Sequence, residues 1–317
     1  MKLRTVRSAG AALCVLLLAA AGFGWDDAGH KLSARLSWEV MTPVARERAV
    51  KILLAAPEDS DLSVLYNSFG GRPKDAIQLE LFMHASTWPD VVRSRNFPVR
   101  YGKYHKSNWH YGAIFWGEDG KAIKDFPEPS GIAVEKLKDF ETILRSGDSS
   151  DAEKAVALAW FLHVAGDLHN PLHNASRVTS SEPKGDQGGN LFYLEPAKED
   201  GSWRLNLHSF WDSQITRNIP REGAACDTDY LESIAKTELS LNPPALFKDR
   251  LKLGDYAAWN LEGYGYLPEK VYGGGLTRDR LPDALYNAKA FRLSLEQLAL
   301  AGYRIGETLN SIFDPNS

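Results

Sequence analysis

The sequence predicts an all-α protein, a single multi-helix domain with long loops and at most one short β-hairpin. Three observations carry that expectation. Segment after segment repeats apolar residues at intervals of three and four. Strand-like content is confined to two short runs, 191–194 and 203–207, on either side of a polar, glycine-containing turn. No internal repeat or shift in composition divides the chain.

Taken in order, the chain opens with Lys2, Arg4 and Arg7, an apolar run from Ala9 to Ala21, and the small residues Gly22 and Gly24. A basic start, an apolar stretch too short to span a bilayer comfortably and small residues before a cut make a secretory signal peptide, predicted over residues 1–24. Trp25 becomes the new N-terminus, and residues 25–317 form the exported domain, periplasmic or secreted, with no stable membrane anchor. Cys14 leaves with the leader, so Cys226 stands alone and no internal disulfide is expected. The core and any bound metal must then hold the domain together. Cleavage lowers 37 basic residues to 34 against 41 acidic ones, a net charge of about −7. Such a surface has no general attraction for nucleic acid, so positive charge at a phosphate site must be local, as a cluster of divalent cations would make it.

The first expected helix, 28–38, carries apolar residues at 28, 32, 36 and 40, and Pro43 starts a second that runs to Leu54. A third, 76–88, turns Ile77, Leu81 and Met83 inward. In 132–144, Ala133, Leu137, Phe140 and Leu144 form one stripe. Asp151 reads as the N-cap of a central helix that runs to Leu168. Segments 230–241, 256–267 and 285–312 follow the same period, while the stretches around Gly70 to Pro73, 176–190 and 268–283 read as loops. Loops of this length in a compact domain often border a functional site.

The chemistry concentrates at the end of the central helix. Between Phe161 and His173 lie three of the eight histidines and an aspartate. His163 and Asp167, four apart, leave one helical face and can converge on one ion. Pro171 stops the helix, which lets His173 turn back toward them. Imidazole and carboxylate are the ligands zinc takes where no thiolate is offered. Four other places supply matching groups: Trp25 with His30 five residues on, Asp90 beside Pro89, His110 between Trp109 and Tyr111, and a second His-x-x-x-Asp pair, His208 and Asp212. A free α-amine at Trp25, with a pKa near ~8, can lose its proton and ligate a metal together with its own carbonyl. Each fragment alone also has a plain structural reading: Asp90 as a cap, His110 as a buried hydrogen-bonded ring, His208 with Asp212 as an intrahelical pair.

Together, these residues resemble the zinc-dependent single-strand-specific nucleases and 3′-nucleotidases of fungi, plants and bacteria, and more distantly the zinc phospholipases C. The likeness spans nearly all of 25–317 and includes the Gly-Asp-Leu-His-Asn-Pro-Leu-His block, Asp186-Gln-Gly-Gly-Asn190 and the closing Leu-His-x-x-Trp-Asp. It implies three zinc ions. Asp90, His110, His163 and Asp167 would hold the first, His173, His208 and Asp212 the second, and Trp25 (amine and carbonyl), His30 and the bridging Asp167 the third. Three zincs against three carboxylates leave about +3, which would attract phosphate to an acidic protein. The resemblance further implies an endonuclease that hydrolyses single-stranded DNA or RNA and 3′-nucleotides by attack of zinc-bound hydroxide and leaves 5′-phosphates. Catalytic roles fall to Asp90 and Asp167 as ligands, Arg93 on the phosphate, and Asn190 orienting groups around the cluster. No protein partner is implied.

Three histidines stay outside the set: His169 pointing away from Asp167, His84 packed on its helix, and His105 solvated between Lys103 and Lys106. Members of the family commonly carry an acid or amide three residues after the histidine that matches His110, and here that residue is Ala113. The change leaves the ligand set whole and bears on substrate preference. Tyr111, Phe115 and Trp116 are read either as stacking partners for a base or as core. The alternatives are a zinc phospholipase C and a non-catalytic exported zinc-binding protein. Against the first stands Asp212, where phospholipases carry glutamate, and against the second the open coordination positions.

Overall fold

The computed structural model describes residues 25–65, 71–128, 130–221 and 227–316; the predicted leader and Cys226 lie outside them. Several helices begin where the sequence supplies a cap or a proline. The Asp26 carboxylate accepts from the Gly29 amide and opens α1 (Asp27–Val40), and Thr42 with Pro43 opens α2 (Pro43–Leu54). Next come α3 (Lys74–Val91), α4 (Pro98–Tyr104), α5 (Ala133–Arg145) and α6 (Asp151–Asp167). Asn206 caps α7 (Leu207–Asp212), which leads through α8 (Gln214–Asn218) to α9 (Asp227–Leu241). Asp255 caps α10 (Tyr256–Gly265), and Asp283 caps the long α11 (Ala284–Phe313).

Helix α6 is apolar on nearly every side, with Leu158, Phe161, Leu162 and Val164 fully buried, and that composition suits only a helix surrounded by others. Helices α1, α2, α3 and α5 surround it, and α11 lies along α1. The α1–α11 crossing is close because α11 offers glycines there. A Cβ on Gly302 would sit 2.7 Å from Leu36 Cβ, and one on Gly306 2.6 Å from the Ser37 carbonyl oxygen. No described helix is long and apolar enough to cross a membrane.

Several expectations shift in detail. Ser150, not Asp151, caps α6: its hydroxyl accepts from the Glu153 amide at 3.2 Å while Glu153 accepts from the Ser150 amide at 2.9 Å, a reciprocal box that leaves Asp151 as the first helical residue. Pro89 does not break α3. The helix runs through it to Val91, with the Val92 amide bonded to the Trp88 carbonyl, so Asp90 sits on the last turn and is not a cap. The pairing expected between 191–194 and 203–207 is reduced to a single antiparallel bridge, Tyr193 with Asn206. Asn206 is already the cap of α7, so the second strand ends where the helix begins. The sheet forms elsewhere, from β1 (Ile114–Trp116), β2 (Ala122–Ile123) and β3 (Ala175–Arg177), in the order β2-β1-β3 with β3 parallel to β1. Phe115 and Trp116 are thereby buried as core. Because Ile114 pairs with Ala175, the residues just before each strand meet, and these are the His110 and His173 segments.

Candidate metal centre

Five elements converge on the carboxylate of Asp167. Its α6 partner, His163, places Nε2 3.3 Å from Oδ2. After Asp167 the chain folds through Asn170 into a short 3-10 turn, Pro171–His173, and His173 Nδ1 returns to 3.6 Å from Asp167 Oδ1. From α1 comes His30, with Nε2 3.4 Å from Oδ1 and its ring stacked on His163 at 3.9 Å. The segment before β1 brings His110 Nδ1 to 3.0 Å from Asp167 Oδ2 and 2.9 Å from His163 Nε2. The last turn of α3 sets Asp90 Oδ1 3.8 Å from His163 Nε2. Beyond His173, α7 adds His208, whose Nε2 is 3.5 Å from Asp212 Oδ2, and Asp212 Oδ1 lies 4.0 Å from His173 Nε2.

The rings are held from behind. His163 Nδ1 donates to the Ser86 carbonyl at 2.7 Å, His173 Nδ1 to the His110 carbonyl at 2.8 Å, and His208 Nδ1 to the Gly188 carbonyl at 2.7 Å. With Nδ1 protonated in these bonds, each Nε2 keeps its lone pair and aims it into the cluster. Several ring and carboxylate atoms of the cluster have no hydrogen-bond partner. Nε2 of His30, His110 and His173, Oδ1 of Asp167 and Oδ2 of Asp212 are all buried without one. One such atom costs on the order of 1–3 kcal/mol. A group of them, all of the types that ligate cations, fits bound metal and little else. Three sets lie close enough to share an ion: His30 with Asp90 and His163, His110 with His163 and Asp167, the two joined through His163, and separately His173 with His208 and Asp212.

Electrostatics agree with that fit. Burial holds His30, His110, His163 and His173 below their usual range, so these rings are neutral at pH 7. Burial also pushes the Asp167 and Asp212 carboxyls well above the usual carboxylate range, Asp212 further through the nearby Asp167 charge. Neutral rings beside carboxyls that resist ionisation do not make salt bridges; a cation between them satisfies both at once.

Every histidine and aspartate named from the sequence as a ligand reaches this cluster. The His173, His208 and Asp212 trio is grouped as expected, and His30, expected beside Asp167, has Nε2 3.4 Å from its Oδ1 and also groups with Asp90 and His163. Trp25 is fully buried, its indole Nε1 donating to the Gly166 carbonyl at 3.0 Å, and the next amide, of Asp26, bonds the Asp212 carbonyl at 3.0 Å. The N-terminal segment is thus clamped across the cluster. Gly166 keeps this approach open, because a Cβ on it would stand 3.0 Å from His30 Nδ1, a tight contact.

Arg93 donates to Asp90 Oδ1 at 2.9 Å; burial lowers its pKa, but the Asp90 charge and hydrogen bond outweigh that and the net direction is upward. Asn190 is a turn amide, donating to the Gln187 carbonyl at 2.9 Å, on the wall of a cavity of about 680 Å³ that opens beside His173 and Tyr111. His169 does point away, with Nδ1 donating to the Ala165 carbonyl and Nε2 accepting from Arg304. His105 corrects an expectation: it is half-buried and stacked on Tyr101 at 4.9 Å, because α4 folds the aromatic residue four before it onto the ring. Ala113 is exposed and presents only a methyl.

Sequence reasoning passed over Asn170, whose amide donates to Asp212 Oδ1 at 2.6 Å while its carbonyl oxygen caps the Pro171 turn. The Asn-Pro dipeptide, a turn signal between two ligand histidines, was the available clue.

The model of the S1/P1 nuclease family matches residues 25–314. The chain is 26% identical over 322 residues to Nuclease S1 of Aspergillus oryzae, covering 94% of each protein. It is 24% identical over 301 residues to Endonuclease 2 of Arabidopsis thaliana, covering 92% of this chain and 91% of that one. A match over almost the whole described chain, on a scaffold whose buried imidazoles and carboxylates converge on one another, places this protein in the S1/P1 nuclease family.

Proposed function

We propose that the protein is an exported nuclease, carrying three zinc ions, that hydrolyses single-stranded DNA and RNA and 3′-nucleotides to products with 5′-phosphates. The observation that carries this reading is the set of buried, unsatisfied ligand atoms beside an open cavity. His173, His208 and Asp212 would hold one ion. Asp90, His110, His163, Asp167, His30 and the amine and carbonyl of Trp25 would hold the other two. When bound, the ions would bring the pKa of water toward neutrality and offset the charge of the phosphate and the departing 3′-oxygen.

The chain's own groups do the rest. Arg93, fixed by Asp90, is placed to donate to non-bridging phosphate oxygens. The backbone carbonyls of Ser86, His110 and Gly188 hold the rings in one tautomer, so nothing reorganises when substrate arrives. The cavity, walled by Tyr111, Phe115, Gly188 and Asn190, takes the nucleoside next to the scissile phosphate. A base must leave its stack to enter such a cavity, which favours single strands over duplex. On this reading the Trp25 amine would become a ligand only after the leader is removed. The test incubates the purified protein, processed to Trp25, with single-stranded DNA, RNA, 3′-AMP and phosphatidylcholine, with and without zinc. Zinc-dependent hydrolysis of the first three supports the proposal, and turnover of the lipid alone would replace it with a phospholipase.

A further inference from the structure

From residue 91 to residue 110 the chain carries five cations, Arg93, Arg95, Arg100, Lys103 and Lys106, and no carboxylate, within a protein that is acidic as a whole. Part of this charge fastens the segment down. Arg100 pairs with Asp61 at 2.9 Å, Lys103 with Asp59 at 2.6 Å, and the buried Tyr104 packs edge-on against Trp88 at 5.2 Å. Of the rest, Arg95 is exposed and Lys106 half-buried, and neither makes an ion pair among the described residues.

Aromatic rings alternate with these cations. Phe97 is 53% exposed, with the Arg100 guanidinium 4.3 Å from its ring centre, and Tyr101 stacks on His105 with Arg95 5.6 Å from the Tyr101 ring. Burial first, and then the charges of Arg93, Lys106 and Arg95, hold His105 below its usual range, while Asp90 acts in the opposite sense. The segment starts at the Asp90 end of the centre, whereas the cavity opens at the His173 end.

We propose that residues 93–106 form the track for single-stranded nucleic acid on the side of the scissile phosphate away from the cavity, with Arg95 and Lys106 on phosphates and Phe97 and Tyr101 on bases. Cations alternating with rings, here the exposed Phe97 and the half-buried Tyr101, are what a single strand is bound by without regard to sequence. The inference rests on the nuclease reading above and extends it from one nucleotide to a polymer.

The test compares an oligothymidylate 12-mer with the dinucleotide TpT, for the wild-type zinc-loaded protein, an Arg95→Ser/Lys106→Ser variant, a Phe97→Ser variant and the charge-conserving Arg95→Lys/Lys106→Arg. Wild type should prefer the 12-mer in kcat/KM. The two serine variants should each lose about tenfold or more of that preference. The slope of log KM for the 12-mer against log salt should fall by about 1.4 in the double serine variant, roughly 0.7 for each phosphate no longer neutralised, and be kept by the charge-conserving one. Cleavage of both substrates with no preference for length, or a preference that survives both serine variants, overturns the track and leaves the nuclease reading standing. Binding of an uncleavable phosphorothioate 12-mer is measured alongside. If wild type cuts neither substrate but binds this oligomer and the serine variants bind it tenfold more weakly, the nuclease reading fails and the track holds. Equal binding by all four proteins overturns the track.

Discussion

Replacing Asp167 by asparagine keeps the size of the side chain and removes its charge. In the fold, this carboxyl is fully buried and faces four imidazoles at 3.0 to 3.6 Å. Two opposite consequences follow. With a chelator present, burial makes the carboxyl a burden: its folded pKa is raised, so the stability it contributes is complete below the unfolded value near 3.8 and is lost as pH rises through the folded value. At pH 7 the chelated Asp167→Asn variant, whose amide has nothing to ionise, should therefore melt at or above the chelated wild type. With zinc the order reverses, since an amide is a poor bridge between cations. Leaving buried charge uncompensated costs on the order of 3–5 kcal/mol. At about 2 °C per kcal/mol for a chain of this size, the variant should gain roughly 6–10 °C less than wild type on adding zinc. Thermal melts of both proteins in EDTA and in zinc at pH 7, with turnover on single-stranded DNA, read both effects. An Asp167→Asn variant destabilised equally in EDTA and in zinc would refute the assignment and make Asp167 a structural carboxyl.

Arg93→Ala should retain its metals by elemental analysis but cleave roughly one to three orders of magnitude more slowly, as expected for a donor to transition-state charge; unchanged turnover would return Arg93 to its Asp90 pairing alone. Protein made in the cytoplasm with one residue retained before Trp25 should fold, as judged by circular dichroism, but hold less zinc and have little activity, because an amide nitrogen cannot ligate; equal zinc content in retained and processed preparations would remove the amine from the ligand set. Gly166→Ala should press a methyl to 3.0 Å from His30 Nδ1 and lower zinc occupancy while the far-UV spectrum stays helical; full occupancy would mean that the His30 ring yields to the methyl and that Gly166 does not fix its position.

Most of the helical framework is legible in the sequence because the long helices carry their own period and several carry a start signal. Pro43, Asp255 and Asp283 mark the observed starts, and the apolar wrap of α6 marks it as central. The cluster is legible for a different reason: histidines and aspartates spaced four apart on helices fix their own geometry. What cannot be read is long-range. The strand residues 114–116 and 175–177 are three residues each, too short for a period, and only their parallel pairing explains why His110 and His173 meet. The grouping of His30 with Asp90 and His163 likewise depends on how α1 and α3 cross α6. Proline at 89 misleads because the helix gives up one amide bond there and still continues, the Val92 amide bonding the Trp88 carbonyl, so that Asp90 stays on its last turn.

Whether these buried imidazoles and carboxylates hold three zinc ions is decided by anomalous diffraction at the zinc edge from crystals of the processed, zinc-loaded protein. Three peaks are expected. One should lie between His173, His208 and Asp212, and two should flank Asp167, one of them touching the Trp25 amine. A protein that hydrolyses single-stranded DNA at full rate while showing no peak, or a single peak away from Asp167, would contradict the three-zinc centre.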